Sequence, residues 1–247
     1  SGARVYRRTW RASVISTFLN PVLFLLAMGL GLGSLVDEGA GSANVGGDFL
    51  AFLAPGLLAA TAMQTAAGDA SYPVMAGIKW RKTYHAALAT PLSVRDLVFG
   101  HLGWVTIRIG FVTVVYGAIM VLFGATTVLE SLAAIPPAII TGSAFAALIT
   151  AYTARLERET GLATLFRFGV VPLFLFSGTF FPISQLPDGI EWFAYATPLW
   201  HGVSLCRNFA LGTEFTVSPW ISFGYLALWV AVGTFLSIRM MRRRLVL

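Results

Sequence analysis

Apolar positions along this chain fall into long runs separated by short polar groups, and the runs set its architecture. Ala12 to Val36 carries no charge, which at 1.5 Å per residue is enough to cross ~30 Å of hydrocarbon. A second run, Phe49 to about Tyr72, is interrupted only by Asp69 near one end. A third follows the turn Ser93-Val94-Arg95-Asp96 and reaches Phe123, with Arg108 inside it. Ser131 to Ala154 is a charge-free fourth with Pro136-Pro137 near its start. The fifth extends from Gly161 to Ser177 with Arg167 inside, and the sixth from Pro219 to Ile238. This pattern predicts an all-α polytopic membrane protein with six transmembrane helices, a single domain over residues 1–247.

Two stretches depart from the plain run. Over residues 1–13, Arg4, Arg7, Arg8 and Arg11 share one face of a helix, with Tyr6, Thr9, Trp10 and Ser13 opposite. This predicts an amphipathic helix lying in the membrane interface, each arginine contributing about 1 kcal/mol near an anionic leaflet. An ordinary basic flank before the first span accounts for the same charges. Residues 180–200 are aromatic and apolar but broken by Pro182, Pro187, Gly189 and Pro198. They cannot form one spanning helix and are too few to cross twice. Short broken helices at membrane depth need shielding by protein or a water-filled cavity. The expectation is therefore two short re-entrant or interfacial helices on the outer side, between spans five and six.

Composition agrees with the pattern. Apolar residues make up 57% of the chain, charged residues 11%, and mean hydropathy is +0.76. A soluble domain carries roughly 25% charged residues, so a water-soluble globule is excluded. The net charge of +6 does not signal nucleic acid, because the basic residues form no stripe with interleaved aromatics. They cluster at the ends of the runs. Fourteen of the seventeen fall on one side of the six-span arrangement, leaving Arg108 and Arg167 within spans and Arg207 in an outer loop, Arg207 to Ser218. The positive-inside rule then makes both termini cytoplasmic. The single cysteine, Cys206, excludes an internal disulfide or multi-cysteine metal site. The first run is too long for a signal-peptide core and lacks a small-residue cleavage site, so no cleavable signal is expected. Gly29, Gly31 and Gly33 have apolar residues between them and no preceding strand, and read as a helix-packing face rather than a dinucleotide loop.

Candidate chemistry is sparse. No G-x-x-x-x-G-K-[ST] occurs, and H-E-x-x-H and G-x-S-x-G are absent. His85, His101 and His201 belong to different elements, so neither a metal site nor catalysis by this chain alone is expected. Residues 79–92, KWRKTYHAALATPL, stand out instead. Lys79, Arg81 and Lys82 suit cytoplasmic anchoring, but Trp80 and Tyr84 interleaved with them do not need it. With Thr83, His85 and an alanine run to Ala89, they predict a short helix in a hairpin loop that docks a cytoplasmic partner. Within the spans, an unpaired arginine costs roughly 2.5–3.5 kcal/mol, so Arg108 must snorkel or pair. Asp69 is a functional candidate because carboxylates are rare there, or else it pairs with Arg167 or Arg108.

A family resemblance becomes specific at four segments. Ala87-Leu88-Ala89-Thr90-Pro91-Leu92-Ser93, after the basic loop, resembles the "LLATPLS" stretch of ABC-2 type transporter permeases. Ser177-Gly178-Thr179-Phe180-Phe181-Pro182-Ile183-Ser184-Gln185-Leu186-Pro187 resembles their "LSGxFFPxxxLP" stretch. Tyr195-Ala196-Thr197-Pro198-Leu199-Trp200-His201 is similar to their "xxNPLTxx" segment, and Phe52-Leu53-Ala54-Pro55-Gly56 to their "FLxPG". Order and spacing agree over nearly the whole chain, with the nearest likeness to permeases of nodulation lipo-oligosaccharide and daunorubicin-type drug export. Thr197 stands where Asn is commoner, and KTYHAAL lacks the acidic residue of the family's "GTLE" segment.

The resemblance implies a subunit of an exporter of the bacterial plasma membrane. A second permease, a copy or a homologue, pairs with it, and two P-loop ATPase subunits dock below, binding the ATP and Mg that this chain does not. Lys79 to Ala89 would be the coupling helix and residues 1–13 the elbow helix, held by membrane lipid. Spans one, two and five would line a path for an amphipathic or lipid-linked substrate, with Met63, Gln64, Asp69, Phe166, Phe174 and Phe176 as candidate contacts, or as packed or lipid-facing residues. Phe180, Phe181, Pro182, Trp192, Phe193 and Tyr195 would close the outer mouth. Two other classes compete: a proton-coupled transporter using Asp69, Arg108 and His101, and an intramembrane enzyme on lipid-linked sugars using His201 or Asp188.

Overall fold

A computed structural model of the chain describes residues 22, 23, 25–27, 49–185, 187–213 and 216–246. The expected elbow helix, with Arg4, Arg7, Arg8, Trp10 and Arg11, and most of the first span lie outside these residues. Among the described residues all regular structure is helical. In order the helices are α1 (Phe49–Ala70), α2 (Tyr72–Met75), α3 (Thr83–Leu88), α4 (Val94–Leu122) and α5 (Val128–Arg155), then α6 (Thr160–Leu165), α7 (Val171–Phe176), α8 (Asp188–Tyr195), α9 (Pro198–Leu211) and α10 (Pro219–Leu245). One π-turn, Ala76–Trp80, continues α2, and another, Phe166–Val170, joins α6 to α7.

Among the described residues four helical stretches are long and apolar enough to cross a membrane: Phe49–Trp80, Val94–Leu122, Val128–Arg155 and Pro219–Leu245. The stretch Thr160–Phe176 is apolar but shorter. Local chemistry sets several ends. Ser93 and Asp96 form a capping box at the start of α4, with the Ser93 amide donating to Asp96 Oδ2 at 2.9 Å. Thr127 and Glu130 do the same for α5. Each box satisfies two of the amide donors that a helix N-terminus leaves without intrahelical acceptors.

α5 sits at the centre and packs on α1, α4, α9 and α10. Lipid tails are as apolar as leucine, so helices in a bilayer associate through close packing and interhelical hydrogen bonds rather than the hydrophobic effect. The α5–α10 crossing shows both. A Cβ on Gly233 would lie 2.8 Å from the Ala147 Cβ, and Ser237 Oγ donates to the Ala147 carbonyl at 2.8 Å. At the α1–α5 crossing, Thr153 Oγ1 donates to the Ala70 carbonyl at 3.0 Å.

The elements differ from the sequence expectation in three places. The second run stays helical beyond Tyr72, through a break at Ser71, to Trp80, so Lys79 and Trp80 finish a long helix instead of opening the loop helix. α10 continues past Ile238 to Leu245 and carries Arg239, Arg242, Arg243 and Arg244 with it. Arg207 is not in a loop: Thr197 caps α9, and that helix ends only at Gly212, whose φ of +62° is the left-handed conformation that glycine allows.

Candidate functional site

At the end of the bundle carrying the basic loop, the π-turn Ala76–Trp80 closes and Lys82 takes a left-handed φ of 49°. This sharp reversal starts α3 almost at once. Trp80 is 49% exposed, and Arg81, Lys82, Thr83, His85 and Ala89 are exposed as well. Tyr84 points the other way. Its ring covers Gly77 so closely that a Cβ there would lie 2.9 Å from it, and it packs against a cluster of Val74, Ile78, Val98 and Met241. Burial pushes the Tyr84 phenol up to about 12. Lys79 Nζ donates to the Glu157 carbonyl at 3.3 Å, tying the π-turn to the connection between α5 and α6. The sequence-predicted residues Lys79 to Ala89 thus form one unit, pegged by Tyr84 onto the ends of α2, α4 and α10.

At the opposite end, Arg207 of α9 gathers segments that lie far apart in sequence. Its Nε donates to the Phe52 carbonyl at 3.2 Å, and an Nη donates to the carbonyls of Gly178 at 2.9 Å and Thr179 at 3.4 Å. Its guanidinium lies 3.7 Å from the centroid of the Phe52 ring, a cation–π contact. Gly56 makes room, since a Cβ there would come within 2.9 Å of Arg207 Nη2 and 3.0 Å of the Thr179 carbonyl. The FLAPG segment of α1 and the SGT segment after α7 therefore meet on one cation. Sequence reasoning missed it by placing Arg207 in the loop. The signal was an arginine in the largely apolar stretch Leu205 to Leu211, ten residues into a helix that Thr197-Pro198 starts.

Around this clasp the aromatic segment folds back. Phe180 meets Phe174 edge-on at 5.0 Å. Phe181 and Pro182 are half-buried, and Ile183 packs with Ala194 and Trp200. Tyr195 stacks edge-on against Trp200 at 4.6 Å. Thr197 Oγ1 accepts from the Trp200 amide at 3.3 Å and donates to the Ala194 carbonyl at 2.7 Å. Threonine thus performs the helix-capping task for which asparagine is equally suited. Trp192 and Phe193 of α8 are 77% and 64% exposed.

Between the two ends, Arg108 of α4 forms an ion pair with Asp69 of α1. The pairing partner is Arg108, while Arg167 lies over the Phe168 ring. Asp69 Oδ2 and His101 Nε2 have no hydrogen-bond partner among the described residues. Of the candidate path residues, Met63 is fully buried in the core, Phe166 and Phe174 are half-buried, and Gln64 and Phe176 are exposed. His201 is packed between Trp200 and Tyr225, and its Nδ1 pairs with Ser222 Oγ at 3.0 Å.

A family model described as ABC-2 type transporter matches residues 2–211. Nodulation protein J of Sinorhizobium fredii (strain NBRC 101917 / NGR234) is 31% identical over 242 residues, covering 95% of this chain and 87% of that protein. Nodulation protein J of Rhizobium leguminosarum bv. trifolii is 30% identical over 241 residues, 97% of this chain and 89% of that protein. That of Rhizobium meliloti (strain 1021) is 28% identical over 243 residues, with 97% and 89% covered.

Proposed function

Because this chain belongs to the ABC-2 type transporter family, we propose that it is the transmembrane permease of an ATP-driven exporter, with its motor on a separate P-loop ATPase subunit. In this reading six spans cross the membrane of a bacterial cell, both termini face the cytoplasm, and residues 180–200 dip back into the outer leaflet. Two permeases pair, and the cargo is an amphipathic drug or a lipid-linked glycan, moved by alternating access. ATP turnover shifts the inward–outward balance through contacts that differ between the two states.

The observation that carries the proposal is the division of labour between Trp80 and Tyr84. One is exposed, while the other packs the loop helix against α2, α4 and α10. Force applied at Trp80 therefore reaches α2, α4 and α10 through packed side chains. Trp80→Ala is expected to weaken capture of the ATPase on co-purification from the native operon. Tyr84→Ala is expected to keep capture but lose stimulated turnover and transport, while Tyr84→Phe keeps both. Retention of binding and coupling by both alanine variants would remove this loop from the interface. The proton-coupled alternative predicts transport that survives loss of any ATPase and collapses with the proton gradient.

A further inference from the structure

α4, α5 and α10 leave between them a groove of about 1060 Å³ that no candidate path residue lines. Its walls are apolar, formed by Phe99, Ile139, Ile140, Val230, Phe235 and Ile238. Polar groups enter at Thr234 of α10, at a hydroxyl pair and at one mouth. Partway along, Thr106 and Ser143 hydroxyls bond each other at 3.1 Å, and Ser143 Oγ donates to the Ile139 carbonyl at 2.8 Å. They are thus engaged and demand nothing of a hydrocarbon neighbour. At the basic-loop end stands Arg95. Arg242 follows Ile238 by one turn on the stripe of α10 that lines the groove, so it borders the same mouth. Both arginines are exposed, and neither is in an ion pair among the described residues. The nearby carboxylate, Asp96, is taken up by the Ser93 cap through bonds of 2.9 and 2.6 Å.

From Arg95 to Thr106 the groove runs roughly 16 Å at 1.5 Å per residue, close to half of a ~30 Å hydrocarbon core. Two cations at the water border above one leaflet's depth of apolar wall match one kind of molecule. We infer that this groove binds an anionic glycerophospholipid, its phosphate at Arg95 and Arg242 and an acyl chain along Phe99, Ile139 and Phe235. Basic pockets between membrane helices select acidic headgroups by the same electrostatics. The inference rests on the membrane placement proposed above, not on the ATPase. A lipid seated here would brace the α4–α5–α10 seam.

The test is native mass spectrometry of the purified full chain, delipidated in detergent and titrated with phosphatidylglycerol or phosphatidylcholine of equal chain length. The unaltered chain should prefer phosphatidylglycerol, by about fivefold for each guanidinium. Arg95→Gln with Arg242→Gln should erase that preference while leaving the unliganded melting temperature unchanged, since both positions are exposed. Ala231→Trp, which fills the groove, should lower retention of both lipids. Equal retention by the unaltered chain, or a preference that survives the double substitution, overturns the inference. So does a dimer that dissociates on Ala231→Trp with lipid binding intact, which would assign the groove to a second copy. No ATPase enters the assay, so its outcome and that of the coupling experiment stand apart.

Discussion

At the scale of single residues, Arg207 shows how a charge can be held within an apolar bundle with no counter-ion among the described residues. Its guanidinium satisfies its donors on backbone carbonyls of Phe52, Gly178 and Thr179 and lies over an aromatic face. Removing it takes the shared cation from the Gly178 and Thr179 carbonyls, and a hydrogen bond to a charged group contributes about 1.5–3 kcal/mol. Arg207→Met should therefore lower the melting temperature of the purified protein and abolish transport. Arg207→Lys keeps the charge but not the planar fork that reaches two segments together, so it should recover stability more than transport. A melting curve and a vesicle transport assay on both variants distinguish these effects. Equal transport by Arg207→Lys and the unaltered chain would show that the clasp need not be bidentate.

At the scale of elements, the two π-turns are the departures from ideal helix that matter. Ala76–Trp80 closes the stretch Phe49–Trp80 just before the loop helix, and Phe166–Val170 interrupts the short apolar stretch Thr160–Phe176. Each holds one residue more than an α-turn needs, and such insertions recur at functional positions. Deleting Gly169 should let α6 and α7 fuse into one regular helix. The protein is expected to fold, by circular dichroism and size-exclusion, with transport reduced at least tenfold through loss of the wide turn itself, since four α residues sweep nearly the same arc as the five they replace and Phe174 and Phe176 turn by only about 10° relative to α6. Unchanged transport would mean the extra residue is incidental. Neither turn was legible in the sequence, because apolar periodicity over so few residues cannot separate 3.6 from 4.4 residues per turn. The long helices were legible, and for a simple reason: charge-poor apolar runs that start at Ser93/Asp96 and Thr127/Glu130 carry both their length and their start signals in the residues themselves. Arg207 was lost for the opposite reason. Its partners are backbone atoms of Phe52, Gly178 and Thr179, and a carbonyl leaves no mark on residue type.

At the scale of the whole molecule, the two functional candidates lie at opposite ends of α1, the Arg207 clasp near Phe52 and the Tyr84 peg beyond Trp80. The chain between them contains the Asp69–Arg108 pair, which links α1 to α4 part-way along. If the six-span reading holds, a cysteine at His85 should react with a membrane-impermeant maleimide only from the cytoplasmic face, and one at Trp192 only from the opposite face. Labelling of both from one side would overturn that topology. The resemblance at FLAPG and SGTFFP acquires a physical meaning here that spacing alone did not supply: the two segments touch the same guanidinium.

An alanine scan of residues 177–181 would pass over the bond that holds them. Apart from Gly178, whose φ of +78° strains any added Cβ, their side chains can be trimmed one after another while the oxygens of Gly178 and Thr179 stay where they are, still facing Arg207. The contact at that end of the bundle is made by main-chain atoms, so loss-of-function alleles there should cluster at position 207, at Gly56, where any added carbon crowds the cation, and at Gly178 with its positive φ, and be scarce at Thr179.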